Sequence, residues 1–125
     1  MINKIISHFP QIAAMILFTI GLSTLLFHRN LIKKIIGLNI MDTGLFLFIT
    51  SVGYISGKIA PIIVNGNTDP SLYVNPVPAG LVLTGIVVSV SVTSITLSLS
   101  YRLYKRFHTL NLDEIYRLTM DEEER

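Results

Sequence analysis

Three stretches of this chain are too long and too apolar to be the core of a small soluble domain. Phe9 to Phe27 and Val77 to Tyr101 contain no charged residue, and Ile35 to Gly57 contains one, Asp42. Each is close to the roughly 20 residues a helix needs to cross a hydrocarbon layer about 30 Å thick. Backbone polar groups inside lipid must be satisfied within their own segment, so helix is the expected form. The reading is an all-α integral membrane protein with three transmembrane helices over about 9–27, 35–57 and 77–101. These would make a membrane domain of residues 1–108, followed by a tail of residues 109–125. Composition agrees, with half the residues hydrophobic, 14% charged and a mean hydropathy of +0.60. The net charge of +2 is too small to suggest a nucleic-acid partner. With no cysteine, disulfides, thiolate metal sites and thiol catalysis are excluded.

The third stretch, "VVSVSVTSITLSLS", alternates polar and apolar residues as a strand would. A membrane strand needs only about 9–11 residues, and one alternating segment cannot close a barrel. Serine and threonine also sit comfortably in membrane helices, where the hydroxyl bonds back to a carbonyl one turn earlier. Helix is therefore expected here too. Pro76 and Pro78 stand where it would begin, and proline is tolerated in a first turn. The connections are a short basic turn, His28 to Lys34, and a long segment rich in Gly, Pro, Asn and Asp. Arg29, Lys33, Lys34, Arg102, Lys105 and Arg106 fall at one end of the helices, against Lys4 and Lys58 at the other. The positive-inside rule then predicts an external amino terminus and a cytoplasmic carboxyl terminus. No small-x-small cleavage site follows the first apolar run, so that run is expected to be retained. In the tail, Asn111 and Glu114 suggest a helix start, with Leu112, Ile115 and Leu118 or Thr119 sharing a face. A short amphipathic helix is expected there, fraying into the acidic "DEEER".

Asp42 is the chemical oddity. With its helix starting near Ile35, it would lie roughly 10 Å inside the basic end at 1.5 Å per residue. An ionised aspartate deep in a bilayer costs about 2.5–3.5 kcal/mol on insertion scales. A bound proton or a cationic partner would relieve that cost, and no lysine or arginine of this chain lies within an apolar run. A buried cationic partner would have to come from another chain. Asn39 is three residues earlier and shares nearly the same face. Two readings stand: a structural hydrogen bond between subunits, or a station on a proton or cation path. Gly37, Gly44 and Ser51 recur every seven residues on another side, a spacing of small residues that lets a second helix approach closely. His8, His28 and His108 are interfacial and too scattered for a metal site. There is no phosphate loop, GxGxxG or carboxylate pair, so the chain is not expected to be an enzyme by itself or to bind a cofactor.

Two segments, "HRNLIKKIIGLNIMDTG" and "NPVPAGLVLTGIVVSVSVTSITLSLSYRLYKR", resemble the C subunit of the Mrp-type multisubunit Na⁺/H⁺ antiporters. That protein is itself similar to NuoK, the small three-helix subunit of respiratory complex I, and the same module occurs in membrane-bound hydrogenases. The resemblance covers nearly the whole chain. It implies a multi-pass protein of the cell membrane that packs beside large antiporter-like subunits and other small membrane subunits. It also implies helices lending polar groups to a path for H⁺ and Na⁺. NuoK-type proteins carry glutamates that fall here on Asn39 and near Val92. Both acids are absent, which favours the Mrp-like branch, and Asp42 is a candidate for a relocated acid. Asp42 and Asn39 are then the foremost path candidates, with Thr84, Ser91 and Thr93 contributing from the third helix. The alternatives are the membrane arm of an energy-converting oxidoreductase such as a membrane-bound hydrogenase, a structural adaptor, or a small homo-oligomeric transporter.

Overall fold

The computed structural model describes all 125 residues, which form helices and loops with two isolated β-bridges and no sheet. The helices are α1 (Ile2–Ser7), α2 (Phe9–Phe27), α3 (Leu31–Gly53), α4 (Val77–Phe107) and α5 (Leu112–Glu123). The long connection between α3 and α4 contains one 3₁₀ turn, Pro70–Leu72. Of these, α2, α3 and α4 are long and apolar enough to cross a membrane. The protein is a multi-pass membrane protein.

Two helices differ from the ranges the sequence suggested. The second spanning helix runs over Leu31–Gly53 rather than 35–57. Asn30 sets its start: its side-chain oxygen accepts the Ile32 N–H at 2.9 Å and the Lys33 N–H at 3.4 Å. Lys33 and Lys34 thus belong to the first turn, which a search for uncharged residues leaves out. The third spanning helix continues past Tyr101 to Phe107. It ends where His108 turns left-handed, at φ 55°, with its N–H on the Tyr104 carbonyl at 2.7 Å. The short α1 was not anticipated, and α5 extends through Glu123 into the acidic stretch, where Arg106 pairs with Glu122.

The three spanning helices stand in one layer with α3 in the middle and both neighbours antiparallel to it. Ala14 and Gly21 of α2 and Gly37 and Gly44 of α3 are all buried. A Cβ on Gly37 would sit 2.8 Å from the Leu25 nitrogen, and one on Gly44 would sit 2.7 Å from the Phe18 nitrogen. Gly21 is likewise pressed on the Met41 backbone. Backbone therefore meets backbone along this pair, as small residues permit in membranes. On its other side α3 meets α4, where the Phe46 ring covers Gly85 and Gly53 lies against Pro78. Only 7 of the 125 residues are buried, and Ile16, Leu26, Leu83 and Val87 are all more than half exposed. Such an outside is suited to lipid or to other subunits.

At the basic end the tail folds back over the α2–α3 turn. The Leu31 N–H donates to the Leu110 carbonyl at 3.1 Å, and the Leu112 N–H donates to the Arg29 carbonyl at 3.0 Å. Arg29 also pairs with Asp113. Lys34 donates to the Leu25 carbonyl at 2.6 Å, satisfying part of the end of α2. At the opposite end the long loop turns at Asn65 and Gly66, both with positive φ. There Asp69 accepts the Ser71 N–H at 3.0 Å and the Ser71 hydroxyl at 2.8 Å. These bonds hold its carboxyl below the usual carboxylate range.

Candidate functional site: the polar seam between α3 and α4

In an antiparallel pair, residues at helical spacing on one helix meet a descending series on the other. On α3 the series is Asn39, Asp42 and Phe46; on α4 it is Thr93, Ser89 and Gly85. Thr93 Oγ1 donates to Asn39 Oδ1 at 2.8 Å. One turn further, Ser89 Oγ donates to Asp42 Oδ2 at 2.7 Å. The next rung is the Phe46 ring over Gly85. Both polar rungs are partly buried.

Asp42 stands farther from the helix end than the sequence suggested. Because α3 begins at Leu31 and ends at Gly53, Asp42 is its midpoint, about 16 Å from either end at 1.5 Å per residue. The figure of about 10 Å is measured from Ile35, where the apolar run begins, and the added turn before it carries Lys33 and Lys34. Its carboxylate opens on one flank of the seam, into a cleft of about 260 Å³ lined by Leu38, Leu45, Phe46, Val88 and Val92. Asn39 does not line this cleft. Asp42 Oδ2 is held by Ser89, and Oδ1 has no partner within the chain.

Residues 9–119 match the family of NADH-ubiquinone/plastoquinone oxidoreductase chain 4L. The chain belongs to that family. It is 32% identical over 105 residues to the Na⁺/H⁺ antiporter C subunit of Alkalihalophilus pseudofirmus, covering 84% of this chain and 90% of that protein. It is 33% identical over 115 residues to the Na⁺/H⁺ antiporter C1 subunit of Staphylococcus saprophyticus, covering 88% and 97%. Among solved structures it is similar to a chain of the membrane-bound sulfane sulfur reductase, an archaeal respiratory membrane complex. That match has 46% identity and a TM-score of 0.76, and covers 84% of this chain and 94% of the other.

In this chain 4L family member the other candidates are not brought to Asp42. Thr84 and Ser91 are exposed, and their hydroxyls donate to their own helix, at the Gly80 carbonyl (3.0 Å) and the Val87 carbonyl (2.9 Å). Four-residue spacing carries Ser89 to Thr93 along the α3-facing side, whereas Ser91 is rotated about 200° from Ser89 at 100° per residue. Gly37 and Gly44 form the close approach to α2, but Ser51 bonds the Phe48 carbonyl at 2.8 Å and lines a polar depression with His8, Gln11 and Thr50. The histidines stay at the helix ends. His8 Nδ1 is 2.8 Å from Gln11 Oε1, and His28 Nδ1 donates to the Thr24 carbonyl at 3.1 Å. Sequence reasoning passed over Ser89 and Gly21. For Gly21 a signal existed: it follows Ala14 by seven residues, the same spacing as Gly37 and Gly44.

Proposed function

We propose that this protein is a small, non-catalytic membrane subunit of a multisubunit module for cation/proton antiport, whose α3–α4 seam contributes to a buried path for H⁺ and Na⁺. The observation that carries the reading is the carboxylate at the midpoint of a spanning helix, held by one serine hydroxyl and open to a lateral cleft. Intramembrane carboxylates face bundle interiors or water-filled paths and mark ion or proton routes. Val92, near which NuoK-type relatives would carry their second glutamate, lines the same cleft. Asp42 here takes the place of the missing acids, Ser89 orients it, and Asn39 with Thr93 supplies a neutral polar rung beside it. The similarity to the C subunits of Na⁺/H⁺ antiporters supports the antiporter reading. Partners are large antiporter-like subunits and other small subunits in the cell membrane, with the amino terminus outside.

A second reading is favoured by the higher identity, 46%, to a chain of a respiratory complex: the same module sits in an energy-converting oxidoreductase driven by redox chemistry in other subunits. Purification through this protein followed by mass spectrometry decides between them. Large antiporter-like subunits alone support the first, and co-purifying iron–sulfur or nickel subunits support the second. A homo-oligomer that transports when reconstituted alone overturns both. In the assembled complex, Asp42→Asn should lower transport about tenfold or more while the subunits stay together. Transport at the wild-type rate would remove Asp42 from the path and leave an adaptor.

A further inference from the structure

The arrangement of α2, α3 and α4 in a single layer leaves one flank of α3 uncovered, and that flank carries Asp42. Leu45 divides it into two recesses. On one side is the Asp42 cleft between α3 and α4. On the other is an apolar groove of about 240 Å³ between α2 and α3, lined by Ala14, Met15, Phe18, Gly44 and Phe48. Gly44 lines one recess and Gly85 the other. The flank therefore presents a ridge between two grooves, a surface to which another helix can pack.

The carboxylate decides what kind of helix. Asp42 is about 16 Å from both ends of α3, and its stem is one carbon long, so it cannot reach an interface as lysine or arginine does. Ser89 satisfies one oxygen. Beyond Ser89, the rest of the cleft wall is made of Leu38, Leu45, Phe46, Gly85, Val88 and Val92, and none of these side chains offers a hydrogen bond. A proton on the carboxyl would remove the charge, and the outward oxygen would still find no hydrogen-bond partner in the cleft wall. The cations of this chain are held elsewhere: Lys34 on the Leu25 carbonyl, Arg29 with Asp113, and Arg106 with Glu122. Lys33 and Lys34 stand in the first turn of α3, Lys4 in α1, Lys58 in the far loop, Arg102 and Lys105 near the end of α4, and Arg117 and Arg125 in the tail.

We infer that this flank is the docking surface for a transmembrane helix of a neighbouring subunit, which inserts a lysine into the cleft to meet the free oxygen of Asp42. The inference rests on the multisubunit reading above and names the chemistry of one partner. Lysine fits because its four-carbon stem packs on the leucine and valine walls while its ammonium supplies the donor that the cleft lacks. The partner's lysine has the reciprocal need, since a cation at that depth also requires a counter-charge.

The test uses the intact complex. A photoreactive benzophenone amino acid replaces Leu45, and irradiation is followed by peptide mapping of the adduct. The expected adduct is a membrane segment of another subunit with a lysine within about one helical turn, or four residues, of the linked position. In parallel, Asp42→Lys should lower recovery of that subunit about tenfold or more, because a second lysine side chain would then fill the space that the partner's lysine needs. Changing the mapped lysine to aspartate should restore recovery. Asp42→Asn should keep the neighbour bound, because a buried lysine can give up its proton. An intact complex whose adduct at position 45 maps to a segment without lysine, or that yields no protein adduct, overturns this inference alone. Undiminished recovery with Asp42→Lys does the same. A wild-type protein that brings down no other membrane protein overturns the multisubunit reading and the inference with it.

Discussion

Glycine has opposite consequences at two places in this molecule, and the difference lies in what stands opposite. At Gly44 an added methyl would meet backbone, 2.7 Å from the Phe18 nitrogen and 2.9 Å from the Ala14 carbonyl oxygen. At Gly85 it would meet the outer edge of the Phe46 ring, 2.5 Å from Cε1, and a ring can turn aside. Gly44→Ala must therefore push α2 and α3 apart, while Gly85→Ala asks only for a new rotamer. Gly44→Ala should destabilise the protein by about 1–3 kcal/mol, as overpacking does, and Gly85→Ala by less. Thermal unfolding in detergent measures both; equal losses would contradict this account of the close approach. The glycine stripe was legible at Gly37 and Gly44 because spacing alone reports a shared helix side. The polar seam was only half legible. Along "SVSVTS" every hydroxyl looks alike, and only the register against α3 picks out Ser89 and Thr93 and turns Ser91 away.

The helices themselves were legible as elements and misplaced at their ends, for a reason that concerns what hydropathy measures. Transfer free energy describes which residues prefer lipid, whereas a helix begins where its first N–H groups find an acceptor. For α3 that acceptor is Asn30, before the apolar run begins, and for α4 the end is a left-handed His108 well beyond the run. The displaced start adds a turn bearing Lys33 and Lys34 ahead of the apolar run and makes Asp42 the midpoint of the helix. Asn30→Ala removes the acceptor of the Ile32 and Lys33 N–H groups and should cost about 0.5–2 kcal/mol. Hydrogen exchange at those two amides should quicken, while Asn30→Asp, which keeps the acceptor, should leave them protected. Exchange unchanged in Asn30→Ala would show that another group sets the helix start.

As a whole molecule the protein is a layer with unequal seams. The α2–α3 pair is joined by a three-residue turn (His28, Arg29, Asn30) and by buried small residues that bring the backbones together. By contrast, α4 joins through two polar rungs and a few small contacts, and its link to α3 is the long exposed loop around Asn65 and Gly66. What adds to that weaker seam is the tail. The paired backbone bonds between Arg29–Leu31 and Leu110–Leu112, with the Arg29–Asp113 pair, fasten the far end of α4 to the turn between α2 and α3. Each exposed ion pair is worth little alone, so the backbone bonds and the burial of Ile115 carry the clamp. A protease site placed at Asn65–Gly66 turns this into an experiment, since cleavage there leaves the α1–α3 and α4–α5 fragments held by the seam, the clamp and the two backbone bonds of Ile59 to Leu72 and Val74. With the whole tail present the two fragments should co-elute in mild detergent. After removal of residues 109–125 they should separate. Fragments that stay together without the tail would mean that the Asn39–Thr93 and Asp42–Ser89 rungs, with the Ile59 backbone bonds, suffice to hold α4, and that the tail serves some other part of the assembly.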